Sequence, residues 1–182
     1  MCRETEAPVV AKRRAVGVYG CGMAASVLCQ ATGSRVSSVL NRDVKQFGKK
    51  FLFDRNEETC WNSDQGPAQW VLLDFPQSVK VTELQLQFQG GFTGRTCRLQ
   101  GSRGGANFMK ITNFYPEDTN CLQRFSISEE SIVDKLKVIF EESSDFFGRI
   151  ILYHLDVLGE KPQEPSGSHS PTAEQGNEQR PA

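Results

Sequence analysis

Three oxygen-bearing side chains lie close together in the stretch from Asp54 to Thr59, with Asn56 between them. Carboxylate, amide and hydroxyl oxygens are the ligands that Ca²⁺ takes in proteins, in sets of roughly six to eight. The same side chains also form short-range hydrogen bonds to backbone N–H groups in turns. The stretch therefore predicts a structured loop that is held either around a cation or by its own capping bonds.

Residues suited to acid–base or nucleophilic catalysis are few, because the chain has only two histidines, His154 and His169. His169 falls in a polar C-terminal stretch that is predicted to be disordered, so a Ser–His or Cys–His pair would have to use His154. Residues two apart on a strand point to the same face, which places Asp156 beside His154. We interpret the two as a surface histidine next to a carboxylate. No glycine-rich phosphate motif precedes a strand–helix unit either, so the sequence favours a protein that is not an enzyme.

Aromatic residues and arginines recur in four predicted loops. Such side chains are enriched at the centres of protein–protein interfaces. For the adjacent pair Phe146 and Phe147, the alternative is that at least one of them folds back to fill the core. The loops span residues 41–48, 61–67, 90–95 and 142–149, and the residues predicted to contact a partner are Phe47, Phe92, Arg95, Phe146, Phe147 and Arg149. The sequence therefore predicts a surface that binds another protein.

The composition bounds the remaining function classes. A formal net charge of -1 over 182 residues gives the protein no general electrostatic attraction to a phosphate backbone, so direct nucleic-acid binding is disfavoured. No apolar run reaches the length needed to cross a membrane. The six cysteines form no C-x-x-C pair and no metal-binding signature. We interpret Cys60 and Cys97 as small buried apolar residues.

Short apolar runs with a period of two, separated by glycine and proline turns, predict the fold. Leu84, Leu86 and Phe88 alternate with polar residues, as in a half-buried strand. Residues 69–75 form a nearly apolar run that is typical of a strand covered on both faces, and Pro76 is expected to end it. With no sustained helical period, the pattern is typical of an all-β sandwich. The predicted core comprises Trp61, Trp70, Leu84, Leu86, Phe88, Tyr153 and Leu155.

The composition of both ends predicts one domain between two tails. Residues 1–33 form a flexible or variable N-terminal segment, residues 34–160 the β-sandwich domain and residues 161–182 a disordered tail. The N-terminal segment fits a signal peptide only superficially, because glycines interrupt its apolar stretch and Glu4 and Glu6 lie in its basic part.

The run FDRNEETCWNS at residues 53–63, followed by QWVLLDF at residues 69–75, resembles the opening of a discoidin domain, the C domain of clotting cofactors. The similarity continues through VTELQLQF at 81–88 and LQGS at 99–102, and it ends with YHLDVLG at 153–159. The resemblance implies a galactose-binding-like fold, which is a jelly-roll arrangement of the predicted sandwich.

The resemblance also bears on the loop that holds Asp54, Asn56 and Thr59. Domains of this kind often bind a structural calcium there, and the site is closed by a Glu on the last strand. This chain has His154 at that place, and a neutral imidazole is a poor ligand for a hard cation. The resemblance therefore implies a calcium site that His154 weakens, and we expect no other cofactor. Because no cysteine follows Cys121 to close the disulfide of secreted relatives, we expect a reducing compartment.

A closer resemblance lies in SRVSSVLNR at residues 34–42, NSDQGP at 62–67, FYPED at 114–118 and DFFGR at 145–149. These segments resemble a family of small nuclear-receptor-associated proteins. The resemblance implies a non-enzymatic, monomeric repressor that binds an orphan nuclear receptor and suppresses its DNA binding and transactivation. We expect the protein in the nucleus and also in the cytoplasm, and its composition favours neither membrane contact nor direct nucleic-acid contact. A carbohydrate-binding module and a subunit of a larger intracellular assembly stay open as alternatives.

Overall fold

We describe the fold from a computed structural model, which covers residues 24–161 apart from the side chains of residues 129 and 130. The strands in this part of the chain are β1 (Ala25–Ser26), β2 (Gly33–Val36), β3 (Trp61–Asn62), β4 (Gln69–Phe88), β5 (Gly94–Ser102), β6 (Met109–Phe114), β7 (Leu122–Ser143) and β8 (Ile151–Glu160). A short helix, α1 (Val44–Phe47), lies between the 3₁₀ turns Leu40–Arg42 and Lys49–Leu52. None of the helices between residues 24 and 161 is long and apolar enough to cross a membrane.

The strands pair antiparallel in the order β1-β8-β4-β7-β5-β6, with β2 added to β4 and β3 added to β8. β4 and β7 are 20 and 22 residues long, and they pair from Gln69 to Gln87 with two shifts of register. Gln69 pairs with Phe140, whose ring also packs against Phe88 at the other end of β4, with centroids 5.8 Å apart. The long strands therefore bend back over themselves, and the sheet closes into the two layers of the predicted all-β sandwich.

The core lies between the two layers and takes buried side chains from the strands β3 to β8. Trp61, Leu84, Leu86, Phe88 and Leu155, all predicted core residues, are at most 1% exposed. The three in β4 alternate along the strand, so the pleat directs all of them to the same side.

Trp70 and Tyr153 differ from the prediction, because both side chains are only half-buried. Trp70 points away from the face that buries Val71, and the Nζ atom of Lys137 lies 4.9 Å from its ring centroid. The hydroxyl of Tyr153 donates to Oε1 of Gln89 at 3.0 Å. An apolar run does not reveal which of its faces is covered, and here the outer face of β4 carries the indole.

Pro76 does not end its strand, contrary to the prediction. β4 continues through it, and the ladder between β4 and β7 shifts register between Asp74 and Val79. A proline lacks a backbone donor, so it is tolerated where the ladder is already interrupted. The strand is therefore interrupted by a shift in register at Pro76, where the prediction expected the strand to end.

The packed domain begins before the predicted start at residue 34. β1 pairs with β8, and Val27 is 2% exposed within the core. The remaining predictions for the two tails concern residues 1–23 and 162–182, which lie outside the described residues. In the described part of the chain, Cys29, Cys60 and Cys97 form no disulfide. Cys97 is buried, which raises the pKa of its thiol, whereas Cys60 is half-buried.

Candidate protein-binding rim

Three loops meet at one end of the sandwich, and hydrogen bonds join them. We call this surface the rim, and it comprises residues 90–95, 117–120 and 142–149. The backbone N–H of Ser144 donates to the carbonyl of Thr93 at 2.8 Å, and the N–H of Thr93 donates to Oγ of Ser144 at 2.9 Å. The carboxylate of Asp118 accepts from the N–H of Gly91 at 2.8 Å. The three loops therefore form one continuous surface.

The loop between β7 and β8 is built around the carboxylate of Asp145. Arg149 donates from Nε and Nη2 to the two carboxylate oxygens, each at 3.0 Å. The N–H groups of Phe147 and Arg149 donate to the same carboxylate at 3.2 and 3.1 Å. These bonds, the one from the Arg149 side chain first, lower the pKa of Asp145, and the pair raises the pKa of Arg149. Bidentate, charge-assisted bonds fix geometry, so the turn is rigid.

Gly148 allows this turn to close against the neighbouring loop. Its φ is +78°, and a Cβ at this position would lie 2.0 Å from the carbonyl oxygen of Gly66. The N–H of Gly66 in turn donates to the carbonyl of Phe147 at 3.1 Å. The loop that follows β3 is therefore in contact with the rim and stabilises it.

Phe146 and Phe147 stand out from this braced turn. They are 93% and 54% exposed, and their rings meet edge to face with centroids 5.3 Å apart. The guanidinium carbon of Arg149 lies 5.0 Å from the ring centre of Phe92 and 5.8 Å from that of Phe147. Neither Phe146 nor Phe147 fills the core, and ring contacts join four of the six predicted contact residues, Phe92, Phe146, Phe147 and Arg149, into one cluster on the rim.

The other two predicted contact residues have different surroundings. Arg95 is exposed on the rim. The hydrogen bond from the Gly91 N–H is the largest cause that lowers the pKa of Asp118, and the charge of Arg95 acts in the same direction. Phe47 is half-buried at the end of α1, a helix that Asp43 caps. Arg95 therefore extends the rim, whereas Phe47 is not part of it.

The polar residues that hold the rim together, Asp118, Ser144 and Asp145, are not singled out by the sequence analysis. Asp145 lies four residues before Arg149 across a glycine-containing turn, and that spacing was a usable signal for an ion pair. Asp118 and Ser144 had no such signal, because their partners lie 27 and 51 residues away along the chain.

An open groove of about 590 Å³ runs beside the exposed rings. Gly66, Pro67, Phe146 and Phe147 are among the residues that line it. The groove therefore joins the rim to the loop that braces it, and it offers apolar surface next to polar groups.

The loop predicted to hold calcium is held by bonds among its own residues. The two carboxylate oxygens of Asp54 accept from the N–H of Asn56 at 3.0 Å and from the hydroxyl of Thr59 at 2.6 Å. Oδ1 of Asn56 accepts from the N–H of Glu58 at 3.0 Å. Over the described ranges, no group of three or more His, Cys, Asp or Glu residues is placed to hold a metal ion. One carboxylate with both oxygens occupied does not fit the ligand set of calcium.

His154 and Asp156 line a second cleft, of about 560 Å³. Asp156 is buried and accepts from the hydroxyl of Ser26 at 2.6 Å, and Nη2 of Arg55 lies 3.7 Å from its other oxygen. Nδ1 of His154 has no hydrogen-bond partner in the described part of the chain. Burial lowers the pKa of His154, against the opposing effect of Asp156. Because the Ser26 hydroxyl donates to the carboxylate, this cleft does not arrange a serine, a histidine and an aspartate for catalysis.

No model of a protein family matches the chain. Curated relatives called nuclear receptor 2C2-associated protein match it closely: the protein from Danio rerio is 68% identical, that from Mus musculus 64% and that from Homo sapiens 61%. Each match spans 139 residues, which is 76% of this chain and 99% of the relative.

Solved structures share the fold at low sequence identity. An F5/8 type C domain from Bacteroides fragilis has a TM-score of 0.68 at 13% identity and covers 78% of this chain and 99% of its own. Chitosan-binding module 1 of a chitosanase/glucanase from Paenibacillus sp. IK-5 has a TM-score of 0.62 at 16% identity, over 74% and 99% of the two chains. The family 32 CBM of NanJ from C. perfringens, solved with galactose, has a TM-score of 0.59 at 15% identity, over 70% and 93%. The predicted discoidin-like jelly roll is thereby confirmed, and the identity to the curated relatives shows that the chain belongs to the family of nuclear receptor 2C2-associated proteins.

Proposed function

We propose that the protein is a non-enzymatic binding module that attaches to a nuclear receptor through the rim and suppresses the receptor's DNA binding and transactivation. The name of its relatives associates them with nuclear receptor 2C2. Two of its structural neighbours are carbohydrate-binding modules, so the fold is one that works by binding. A protein partner for this fold is consistent with both observations.

The observation that carries the proposal is the 93% exposure of Phe146 on a turn that four bonds to Asp145 make rigid. Burying a Phe side chain in an interface contributes about 1.5–3 kcal/mol. A side chain on a rigid turn also loses little conformational freedom on binding, so more of that contribution remains as affinity. Phe146, flanked by Phe147 and Arg149, therefore has the properties of an interface anchor.

Suppression of DNA binding follows from competition and needs no contact between this protein and DNA. The net charge of -1 gives the chain no general attraction to phosphates. A module that covers receptor surface needed for DNA contact or for dimerisation excludes the DNA complex while it is bound. We propose the nucleus, and also the cytoplasm, as the places where a monomer of this protein meets the receptor.

A pair of variants tests the anchor. Phe146→Ser removes the exposed ring, and Met109→Ser removes an apolar side chain that is 74% exposed on β6, outside the rim. Binding to purified nuclear receptor 2C2 should weaken about tenfold or more for Phe146→Ser and stay within about twofold for Met109→Ser. Absence of binding by the unaltered protein, or equal loss in both variants, would refute the proposal.

A second measurement tests the consequence for DNA. The receptor is bound to a fluorescent duplex carrying its response element, and the protein is then titrated in. The unaltered protein should release the duplex at concentrations near its receptor Kd, and Phe146→Ser should need about tenfold more. A ternary complex without release of the duplex would contradict the competitive route.

Carbohydrate binding is the alternative that the structural neighbours raise, because two of them are named for chitosan or were solved with galactose. A sugar site needs free polar groups to grip hydroxyls. On the rim, the carboxylates of Asp118 and Asp145 are already engaged by backbone and side-chain donors. Specific binding on a glycan array that Phe146→Ser abolishes would favour the alternative, and isolation of the protein with its native complex would identify an assembly.

A further inference from the structure

The groove beside Phe146 is acidic. Glu141, Glu142 and Asp145 line it, and no Lys, Arg or His is among its described lining residues. A surface that presents one sign of charge attracts and orients groups of the opposite sign. The groove therefore selects a cationic partner over an anionic one.

The three carboxylates differ in how far they are neutralised. Asp145 is paired within its own turn, and Glu141 forms an ion pair with Arg98. Glu142 is exposed and accepts one hydrogen bond, from the hydroxyl of Thr96 at 3.3 Å. Among residues 24–161, no Lys, Arg or His forms an ion pair with Glu142. Glu142 is thus the carboxylate in the groove that is open to a cation from another molecule.

The ring of Phe146 offers the second half of a cation site. The face of an aromatic ring is electronegative and attracts ammonium and guanidinium groups within about 6 Å of its centre. Phe146 is almost fully exposed, and Phe147 and Pro67 add apolar surface along the same groove. Lys and Arg carry an apolar stem as well as a charge, so they match a groove of this composition.

From these features we infer that the groove binds a basic polypeptide segment of the partner, with a Lys or Arg side chain stacked on Phe146 and paired with Glu142. The inference rests on the proposed function, because it concerns the same rim. It adds the chemical class of the bound segment: Lys or Arg next to an apolar residue, not an acidic or a purely apolar helix.

This class of segment also connects binding with suppression of DNA contact. Proteins neutralise DNA phosphates with Lys and Arg side chains, and each neutralised phosphate adds to the affinity. A cation that is paired with Glu142 and stacked on Phe146 is withdrawn from that role. Occupation of the groove by a basic receptor segment therefore competes directly with DNA.

A peptide experiment tests the inference without the receptor. The probes are a short peptide of alternating Leu, Arg and Lys residues and its counterpart with Glu at every basic position. In two-dimensional amide NMR of the full chain, the basic peptide should shift the signals of Glu142, Phe146 and Phe147, and the acidic one should not. Shifts from both peptides, or shifts confined to residues outside the groove, overturn the inference.

Charge variants give the second arm. Glu142→Lys should weaken binding of the basic peptide and of nuclear receptor 2C2 about tenfold, and Glu142→Gln should have a smaller effect. Glu58→Lys makes the same charge change at an exposed position outside the rim. Its affinity for the basic peptide and for the receptor should stay within about twofold of that of the unaltered protein. Thermal unfolding verifies that each variant is folded. Receptor binding that is unchanged in Glu142→Lys and insensitive to salt overturns the inference and leaves the proposed function standing, whereas no receptor binding by the unaltered protein overturns the proposed function.

Discussion

Replacing Trp61 with alanine should lower the free energy of unfolding by about 4 kcal/mol, whereas the same change at Trp70 should cost about 1–2 kcal/mol. This difference between the two substitutions follows from the structure, because the sequence alone predicts that both tryptophans lie in the core. It follows from where the two indoles lie in the sandwich.

The larger value comes from complete burial. Trp61 is fully buried, and its ring centroid lies 6.3 Å from that of Phe140. Removal of a buried Trp leaves a cavity, and such changes cost about 3–5 kcal/mol. Nε1 of Trp61 also donates to the carbonyl of Ser38 at 3.0 Å, and an acceptor left without its donor adds about 1 kcal/mol.

The smaller value reflects partial exposure. Trp70 is half-buried, so only part of its apolar surface leaves water on folding. Its contact with Lys137, at 4.9 Å, is of the exposed kind that contributes about 0.5–1 kcal/mol. No closed cavity forms when the ring is removed, because solvent reaches the site.

Urea unfolding measures both variants directly. The chain has two tryptophans, so each variant keeps one indole as its own fluorescent reporter. Circular dichroism gives an independent reading of the same transition, and equal m-values would show that the same surface unfolds. Equal destabilisation by the two substitutions, or a larger effect at Trp70, would refute the placement of the two side chains.

The remaining predictions concern the rim and the calcium loop. Asp145→Ala should cost about 1–3 kcal/mol, measured by urea unfolding, because it removes the acceptor for Arg149 and for two backbone N–H groups, and it should also weaken receptor binding. Gly148→Ala should lower the melting temperature by several degrees more than Gly104→Ala: both glycines have positive φ, but only at Gly148 would the new Cβ meet backbone, at 2.0 Å. Adding EGTA should move the melting temperature by less than about 1 °C, because an ion that is not bound contributes no stability; a drop of several degrees would show a bound calcium. The pKa of Asp145 in the folded protein lies below its ordinary 3.8, so its stabilisation is present above that pH and is lost as the pH falls through the folded value; Asp145→Ala should therefore flatten the loss of stability in an acid titration below about pH 4.

Local patterns were enough for the fold class and for much of the core. Leu84, Leu86 and Phe88 are buried together because a strand directs every second side chain to one face, and that period is readable from neighbouring residues. The same reasoning failed at residues 69–75, where an almost unbroken apolar run carries no period. Composition likewise predicted Phe146 and Arg149 as contact residues, and the structure places both on the rim.

The sequence by itself determined the all-β class, the alternating core positions within a strand, and the loops that carry aromatic residues and arginine, but not that two of the strands are 20 and 22 residues long. Only the tertiary structure decided which loops share an end of the sandwich and which aromatic rings stay outside. Phe47 and Phe146 were both predicted to lie in loops, yet Phe47 ends helix α1 and only Phe146 reaches the rim. The physical reason is the distance along the chain over which the responsible interactions act. Side-chain alternation is set by neighbouring residues, whereas the rim depends on hydrogen bonds such as Thr93 to Ser144, which join residues 51 positions apart and form only when the long strands fold over the core.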